Sequence, residues 1–361
     1  MSRDALTALA VGLMMVCAGS AGARQIDPAA QAPALQPAAP VPTTAAPATP
    51  SIDREAFDRW LVDVRKDALS RGIKADTLDR ALTGLEPAPQ VLERDRQQAE
   101  FTLDLKAYLK RRLTPETLRS ARRLQKKYLA VAERVAKTYD VSPRVQIAVW
   151  ALESNFGRFS GVRPSLPTLA TLAFDGRRAE LFRGELLDAL TILDRGDIEL
   201  EHLRGSWAGA LGQVQFLPSS YLAWAVDFDN DGRRDIWRSL PDVFASIANY
   251  LHGHGWAADG RWGYEVKVPE AASAAIAAVP QRTSGCRAVR DLSEPKTLAE
   301  WKALGVVAAK KTLPASTRPA SLLRLDDRVW LVTESYEALL AYNCAHTYAI
   351  SVATLADKLP K

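Results

Sequence analysis

The sequence predicts an α+β protein that is mainly helical and carries a small mixed α/β subdomain. Two observations predict it. Apolar residues recur at helical spacing through most of residues 52–256 and again over 334–361. Between them, over 257–333, short runs such as "YEVKVP" and "RVWLVT" alternate as strands do, with one short helix, "TLAEWKALGV", between them. A chain of 361 residues, 47% apolar and 25% charged, is long enough to bury a core for this plan. The small subdomain is expected to be followed by a return of the chain to the helical core.

Two leading segments stand apart from the fold. In residues 1–23, Arg3 precedes a short apolar run, and "AGSAGARQ" follows with a small-x-small cleavage pattern, as in a secretory signal. Cys17 leaves a lipid anchor open, but Val16 stands where a lipoprotein signal takes a small residue. Residues 24–51 are a Pro/Ala/Thr spacer without apolar periodicity, expected to be extended. Export to the periplasm is the expectation. It leaves Cys286 and Cys344 in an oxidising compartment, as one disulfide or as two unrelated buried thiols.

The formal charge of +5 is modest, and no nucleic-acid motif is present. The basic runs "KRR" at 110–112 and "RSARRLQKK" at 119–127 fall on helical patterns and read as solvated faces. An anionic envelope polymer is the more natural partner of an exported chain. The expectation is a monomer, with any envelope protein partners unidentified.

The helical region opens at Asp53, with Phe57, Trp60, Leu61, Val64, Ala68 and Leu69 on one stripe, and "GLEPAP" closes the unit. A second stretch runs from about Glu100 to Arg112. Thr114-Pro115-Glu116 then starts a long helix to about Tyr139. The next helix has Ser142 as N-cap, Pro143 at its first position and Gly157 as its stop. Helices also fit 178–194, 242–252 and 335–358.

The Ser142 helix carries the first functional signal. Ile147 to Leu152 is apolar all round, which marks a buried helix, and Glu153 follows in its last turn. Burial and the negative end of the helix dipole both disfavour a carboxylate there and raise its pKa. A carboxylic acid held protonated near neutrality suits general acid catalysis, for instance on a glycosidic oxygen. The commoner kind of helix-end Glu is simply exposed. Three other stretches favour the catalytic reading: the small-residue loop "GSWAGALGQVQFLPSSY", the arginine pair in "FDGRRAELF", and "AYNCAHTYA" with its aromatic and amide groups.

Together, "ALESNFGRFSG", "RRAELF", "GSWAGALGQVQFLPSSYLAWAVDFDNDG", "IANYLHGHGW" and "YNCAHTYAISVATLADKL" resemble the membrane-bound lytic murein transglycosylase B family, glycoside hydrolase family 103. The resemblance runs in order from about residue 55 to the C-terminus. It implies a lysozyme-like catalytic core and cleavage of the MurNAc-GlcNAc bond of peptidoglycan without water, leaving 1,6-anhydro-MurNAc ends. It implies Glu153 as sole catalytic acid and base. Arg177, Arg178, Ser206, Gln215, Tyr342, Asn343 and Tyr348 match family residues that line the cleft, and Tyr108 matches less closely. A hydrolytic muramidase and a silent peptidoglycan-binding protein are the alternatives.

"DFDNDGRRDIW" stands on its own chemistry. Asp227, Asp229 and Asp231 at positions one, three and five, Gly232 at six, Arg233 at the backbone-ligand position seven and Asp235 at nine reproduce most of a calcium loop. Position twelve, normally a bidentate Glu, is Arg238. Some members of the resembled family close such a loop with an acid slightly further on, and Asp242 is the matching candidate. A weak structural calcium site is the expectation, with no cofactor needed for the chemistry. His252 and His254 have no recognisable further ligands.

Overall fold

The computed structural model describes residues 52–97, 104–310 and 312–361. The expected signal and spacer lie outside the described residues, as does the start of the stretch expected from Glu100. Within them the fold is mainly helical, with a small five-stranded antiparallel sheet and a separate two-stranded pair.

Helix α1 (Arg54–Ser70) begins where the Asp53 carboxylate accepts the Ala56 amide. Phe57, Leu61, Val64 and Ala68 are buried as expected, whereas Leu69 is exposed. One residue past Ala68, it is turned about 100° off the core-facing stripe. Short helices α2 (Ala75–Leu82), α3 (Gln90–Gln97) and α4 (Leu105–Arg112) follow. α5 (Pro115–Tyr139) starts as predicted, with Thr114 capping the Thr117 amide, and kinks at Tyr128.

Helix α6 (Pro143–Ser154) is the centre of the molecule. Every residue from Val145 to Ser154 is buried, and α5 packs against it. Two details of its ends differ from expectation. The Ser142 side chain makes no capping bond; the Ser142 carbonyl instead accepts the Val145 and Gln146 amides. The helix stops at Ser154, three residues before Gly157, because Asn155 and Phe156 already turn left-handed, at φ 49° and 61°. Gly157 completes that turn at φ 80°, and a Cβ there would lie 2.3 Å from the Gln213 side chain.

β1 (Arg163–Pro164) pairs antiparallel with β2 (Arg204–Gly205) across α7 (Ser165–Phe174) and α8 (Ala179–Arg195). α9 (Pro218–Trp224) packs on α8, and α10 (Leu240–Gly253) on α5 and α6.

The mixed region holds β3 (Gly263–Lys267), α11 (Glu270–Ala277), α12 (Arg287–Arg290), β4 (Lys296–Thr297) and α13 (Leu298–Ala303), then β5 (Val307–Ala308), β6 (Pro319–Leu325) and β7 (Arg328–Val332). The sheet order is β4-β6-β7-β3-β5, with antiparallel pairs throughout. Its two faces serve two cores. Leu322 and Leu331 join Leu298, Trp301 and Ile276 in a local cluster, while Leu323, Trp330 and Val332 belong to the main helical core. The two-residue period of a strand produces that division.

The chain returns to the core through α14 (Glu334–Tyr342) and α15 (His346–Asp357), the latter packed on α6. The sequence pattern predicts one continuous stretch there, but Asn343–Ala345 breaks it in extended conformation. Cys344, within the break, is disulfide-bonded to Cys286 with Cα atoms 6.3 Å apart. The single-bridge expectation therefore holds, and the bridge holds the break against the segment leading into α12.

Candidate active site

Glu153 is 5% exposed at the last turn of α6, and its carboxyl is raised to about 7. Burial is the main cause; the Tyr348 hydroxyl and the Arg112 charge oppose it by favouring the carboxylate. The Tyr348 hydroxyl is buried beside the carboxyl but makes no well-aligned hydrogen bond. Apolar surroundings explain the burial: Trp150, one turn back, meets Phe156, Phe244 and Tyr128 edge-on at 5.4 to 6.0 Å.

Glu153 borders two spaces. One is a cavity of about 290 Å³, bounded by Arg94, Arg111, Arg112, Thr117, Asn155, Phe159, Gly205 and Ser206 among others. The other is a small recess lined by Gln215, Phe216, Ser220, Tyr250, Tyr342 and Asn343. Among the described residues lining these two spaces, Glu153 is the only carboxyl group.

The loop between β2 and α9 shapes both spaces. Ser206 Oγ accepts the Ala208 and Ala210 amides at 3.2 and 3.1 Å, which uses both lone pairs and leaves its own hydrogen to donate. A Cβ at Gly205 would meet the Ala210 carbonyl at 2.4 Å, so only glycine lets the loop fold back this tightly. Two nearby glutamines divide the work. Gln213 Oε1 accepts the Trp150 indole N–H and its Nε2 donates to the Trp237 carbonyl, both at 2.7 Å, locking the loop onto α6. Gln215, at φ 54°, donates to the Gly212 carbonyl at 2.9 Å and lies in the recess.

The tyrosines form the far wall. The Tyr342 hydroxyl donates to the Val214 carbonyl at 2.8 Å, so its ring is what it offers the recess. That ring stacks on Tyr348 at 6.4 Å and meets Tyr250 at 4.8 Å. Burial pushes the hydroxyls of Tyr342, Tyr348 and Tyr108 upward, and the Glu153 charge adds to the rise in each. The structure thus brings Tyr108, Ser206, Gln215, Tyr342, Asn343 and Tyr348 around Glu153.

Arg177 and Arg178 are placed elsewhere. Both donate to the buried Asp95 of α3, and Arg178 lies over the Phe182 ring at 4.7 Å. Neither borders the cavity; Arg94, beside Asp95 on α3, does. Arg111 and Arg112, read from the sequence as a solvated face, line the cavity instead. No local pattern marks them, because the C-terminus of α4 meets that of α6 only in the tertiary fold. Asn155 and Phe159 are further lining residues that sequence reasoning did not assign to the cleft.

In the aspartate loop, the carboxylates of Asp227, Asp229 and Asp242 lie within 4.8 Å of one another. Asp242 is buried and accepts the Phe228 and Asp235 amides at 2.8 Å each. Asp231 and Asp235 do not join this cluster. Asp231 accepts the Arg233 amide, and Asp235 accepts those of Trp237 and Arg238.

The transglycosylase SLT domain family matches residues 56–357. The membrane-bound lytic murein transglycosylase B of Escherichia coli (strain K12) is 29% identical over 306 residues, covering 83% of this chain and 78% of that protein. Among solved structures, SltB3 from Pseudomonas aeruginosa in complex with NAG-anhNAM-pentapeptide matches with a TM-score of 0.75 at 39% identity, over 83% of this chain and 78% of that one. The Escherichia coli lytic transglycosylase SLT35 in complex with calcium matches with a TM-score of 0.68 at 27% identity, over 84% and 92%.

Proposed function

The chain belongs to the transglycosylase SLT domain family, and from that premise we propose that Glu153 is the one catalytic acid and base of a peptidoglycan lytic transglycosylase. The enzyme cleaves the MurNAc-GlcNAc bond and leaves a 1,6-anhydro-MurNAc end. The observation that carries the assignment is a lone carboxyl, raised to about 7, bordering both the cavity and the recess. Glycosidases that use water or a covalent intermediate commonly pair two carboxyls about the bond.

Protonated Glu153 gives its proton to the glycosidic oxygen as the C1–O bond breaks, so the leaving sugar departs as an alcohol. The Glu153 carboxylate then takes the proton of the C6 hydroxyl as that oxygen bonds to C1. The acid is regenerated and no water is consumed. Ser206, Gln215, Asn343 and the tyrosines Tyr108, Tyr342 and Tyr348 hold the N-acetylated sugar and stabilise the oxocarbenium-like state. Arg177 and Arg178, bound to Asp95 and away from both spaces, take no part in this step. Mass spectrometry of digested murein sacculi tests the scheme: wild type yields anhydro ends and Glu153→Gln yields none. Reducing-end MurNAc from wild type would establish a hydrolytic muramidase instead, and full activity in the variant would remove Glu153 from its role.

Asp227, Asp229 and Asp242 would hold a structural calcium ion, which takes no part in the chemistry. The donor set fits a hard cation, since three carboxylates converge and Asp242 takes the place that Arg238 leaves open at position twelve. Arg233 would contribute its backbone carbonyl, with Asp231 and Asp235 shaping the loop or completing the ligand set. Millimolar calcium is expected to raise the melting temperature by about 2–4 °C in wild type and not in Asp242→Asn. No shift in wild type would exclude the site.

Among the described residues, no helix is long and apolar enough to cross a membrane. The enzyme reaches the periplasm through a cleaved signal and works there as a monomer on glycan strands. An exported protein whose N-terminus begins at Arg24 supports soluble export; acylation at Cys17 would establish an anchor.

A further inference from the structure

We propose that Arg112 is a positioning residue for the acid and base: its guanidinium braces the last turn of α6 and supplies the positive charge against which the Glu153 carboxylate forms. The inference rests on Glu153 being the catalytic acid. It starts from a contact between two helix ends. Arg112 closes α4, and its side chain crosses to α6 to donate to the carbonyl of Leu152, the residue before Glu153. Its charge also acts on the Tyr108 hydroxyl, one turn back on α4, and it lines the cavity beside Glu153.

The two halves of the reaction make opposite demands on one carboxyl group. Before bond cleavage Glu153 must hold its proton, and burial ensures that. Afterwards it must exist as a carboxylate, in an apolar site, at the helix end where unsatisfied carbonyls already carry partial negative charge. A cation bound to one of those carbonyls relieves both difficulties: it offsets the helix end and attracts the new charge directly.

The other groups around Glu153 do not fill this role. α15 presents the hydroxyl of Tyr348, α14 the ring of Tyr342, α10 Tyr250, and α4 Tyr108 besides Arg112. α5 contributes the uncharged Thr117, and the loop after β2 the uncharged Ser206 and Gln215. Arg94 and Arg111 border the same cavity. Arg112 is bonded to the carbonyl beside Glu153, and its charge lowers the carboxyl's affinity for its proton.

The test separates charge from bracing. Arg112→Gln keeps an N–H to offer the Leu152 carbonyl but removes the charge, Arg112→Met removes both, and Arg112→Lys keeps the charge. Circular dichroism checks the fold of each, so one unfolded variant leaves another to decide. Activity in wild type falls as pH rises through the Glu153 pKa. In the neutral variants that alkaline limb of kcat/KM is expected to move up by about one pH unit. kcat is expected to fall about 10- to 100-fold. Arg112→Lys is expected to keep the limb near its wild-type position. A limb that stays put in the folded neutral variants overturns the inference, however far the rate falls. A wild-type profile with no alkaline limb counts instead against Glu153 as the acid.

Discussion

Glu153 and Glu185 occupy two regions of the helical core under the same burial, and both carboxyls are raised to about 7. Their surroundings differ in every other respect. Glu185, within α8, faces the start of α9, where its two oxygens accept the Ser219 amide at 2.9 Å and the Ser219 hydroxyl at 2.7 Å. A helix N-terminus welcomes that carboxyl, and its bonds are internal. Glu153 sits at the opposite kind of helix end, beside the Tyr348 hydroxyl and the Arg112 charge, with open space in front. Burial alone therefore does not identify a catalytic acid. What separates the two is a carboxyl that borders a cavity against one whose two oxygens are bonded to the Ser219 amide and hydroxyl.

The sharpest way to break this contrast is to neutralise the cleft carboxyl. Glu153→Gln is expected to lower the rate of anhydro-end release from sacculi about 1,000-fold or more with the fold intact, as judged by circular dichroism. Glu185→Ala should do the reverse. Losing the α9 cap and opening a small cavity is expected to cost about 2–3 kcal/mol in chemical denaturation, while activity at low temperature stays within a few fold of wild type. If Glu185→Ala abolished activity in folded protein, the two carboxyls would not be functionally distinct.

A smaller effect concerns pH. For each glutamate the folded state holds its proton up to about 7, while the unfolded chain releases it near 4.5. Their contribution to stability is thus complete below the unfolded value and is lost as pH rises through the folded one. Stability should fall between pH 5 and 8. At pH 8, Glu153→Gln is expected to be more stable than wild type by about 1–2 kcal/mol, an advantage that shrinks toward pH 4. Equal denaturation midpoints at both pH values would mean that burial does not raise the carboxyl. The smallest expected effect is on Gln213, which locks the loop to α6. Gln213→Glu should lower the melting temperature by a few degrees and impair catalysis, because a carboxylate cannot donate to the Trp237 carbonyl.

How far the sequence revealed the molecule follows from the range over which each feature is determined. Glu153 was legible because its oddity is local: a carboxyl at the end of a helix apolar on every side. The start of α5 was legible for the same reason, since Thr114 and Pro115 are a complete start signal. Ser206 and Gln215 stood out within a run of small residues, yet nothing local distinguishes Gln215 in the recess from Gln213 two positions earlier, bound to Trp150. The break at Asn343–Ala345 was hidden because a distant cysteine holds it. Arg112 was misread because its partner carbonyl is forty positions along the chain. A basic run on a short helix carries no trace of the helix end it will meet.

The two-faced sheet bears on how this architecture can be altered by recombination. Residues 257–333 have the outline of an insertion exchangeable for another module. Yet Leu323, Trp330 and Val332 are buried in the catalytic core, and Cys286 holds the segment from which Asn343 enters the recess. Excising the insertion would uncover apolar surface on the enzyme and release one wall of its recess in the same step. The sheet region is heritable only together with the cleft it adjoins.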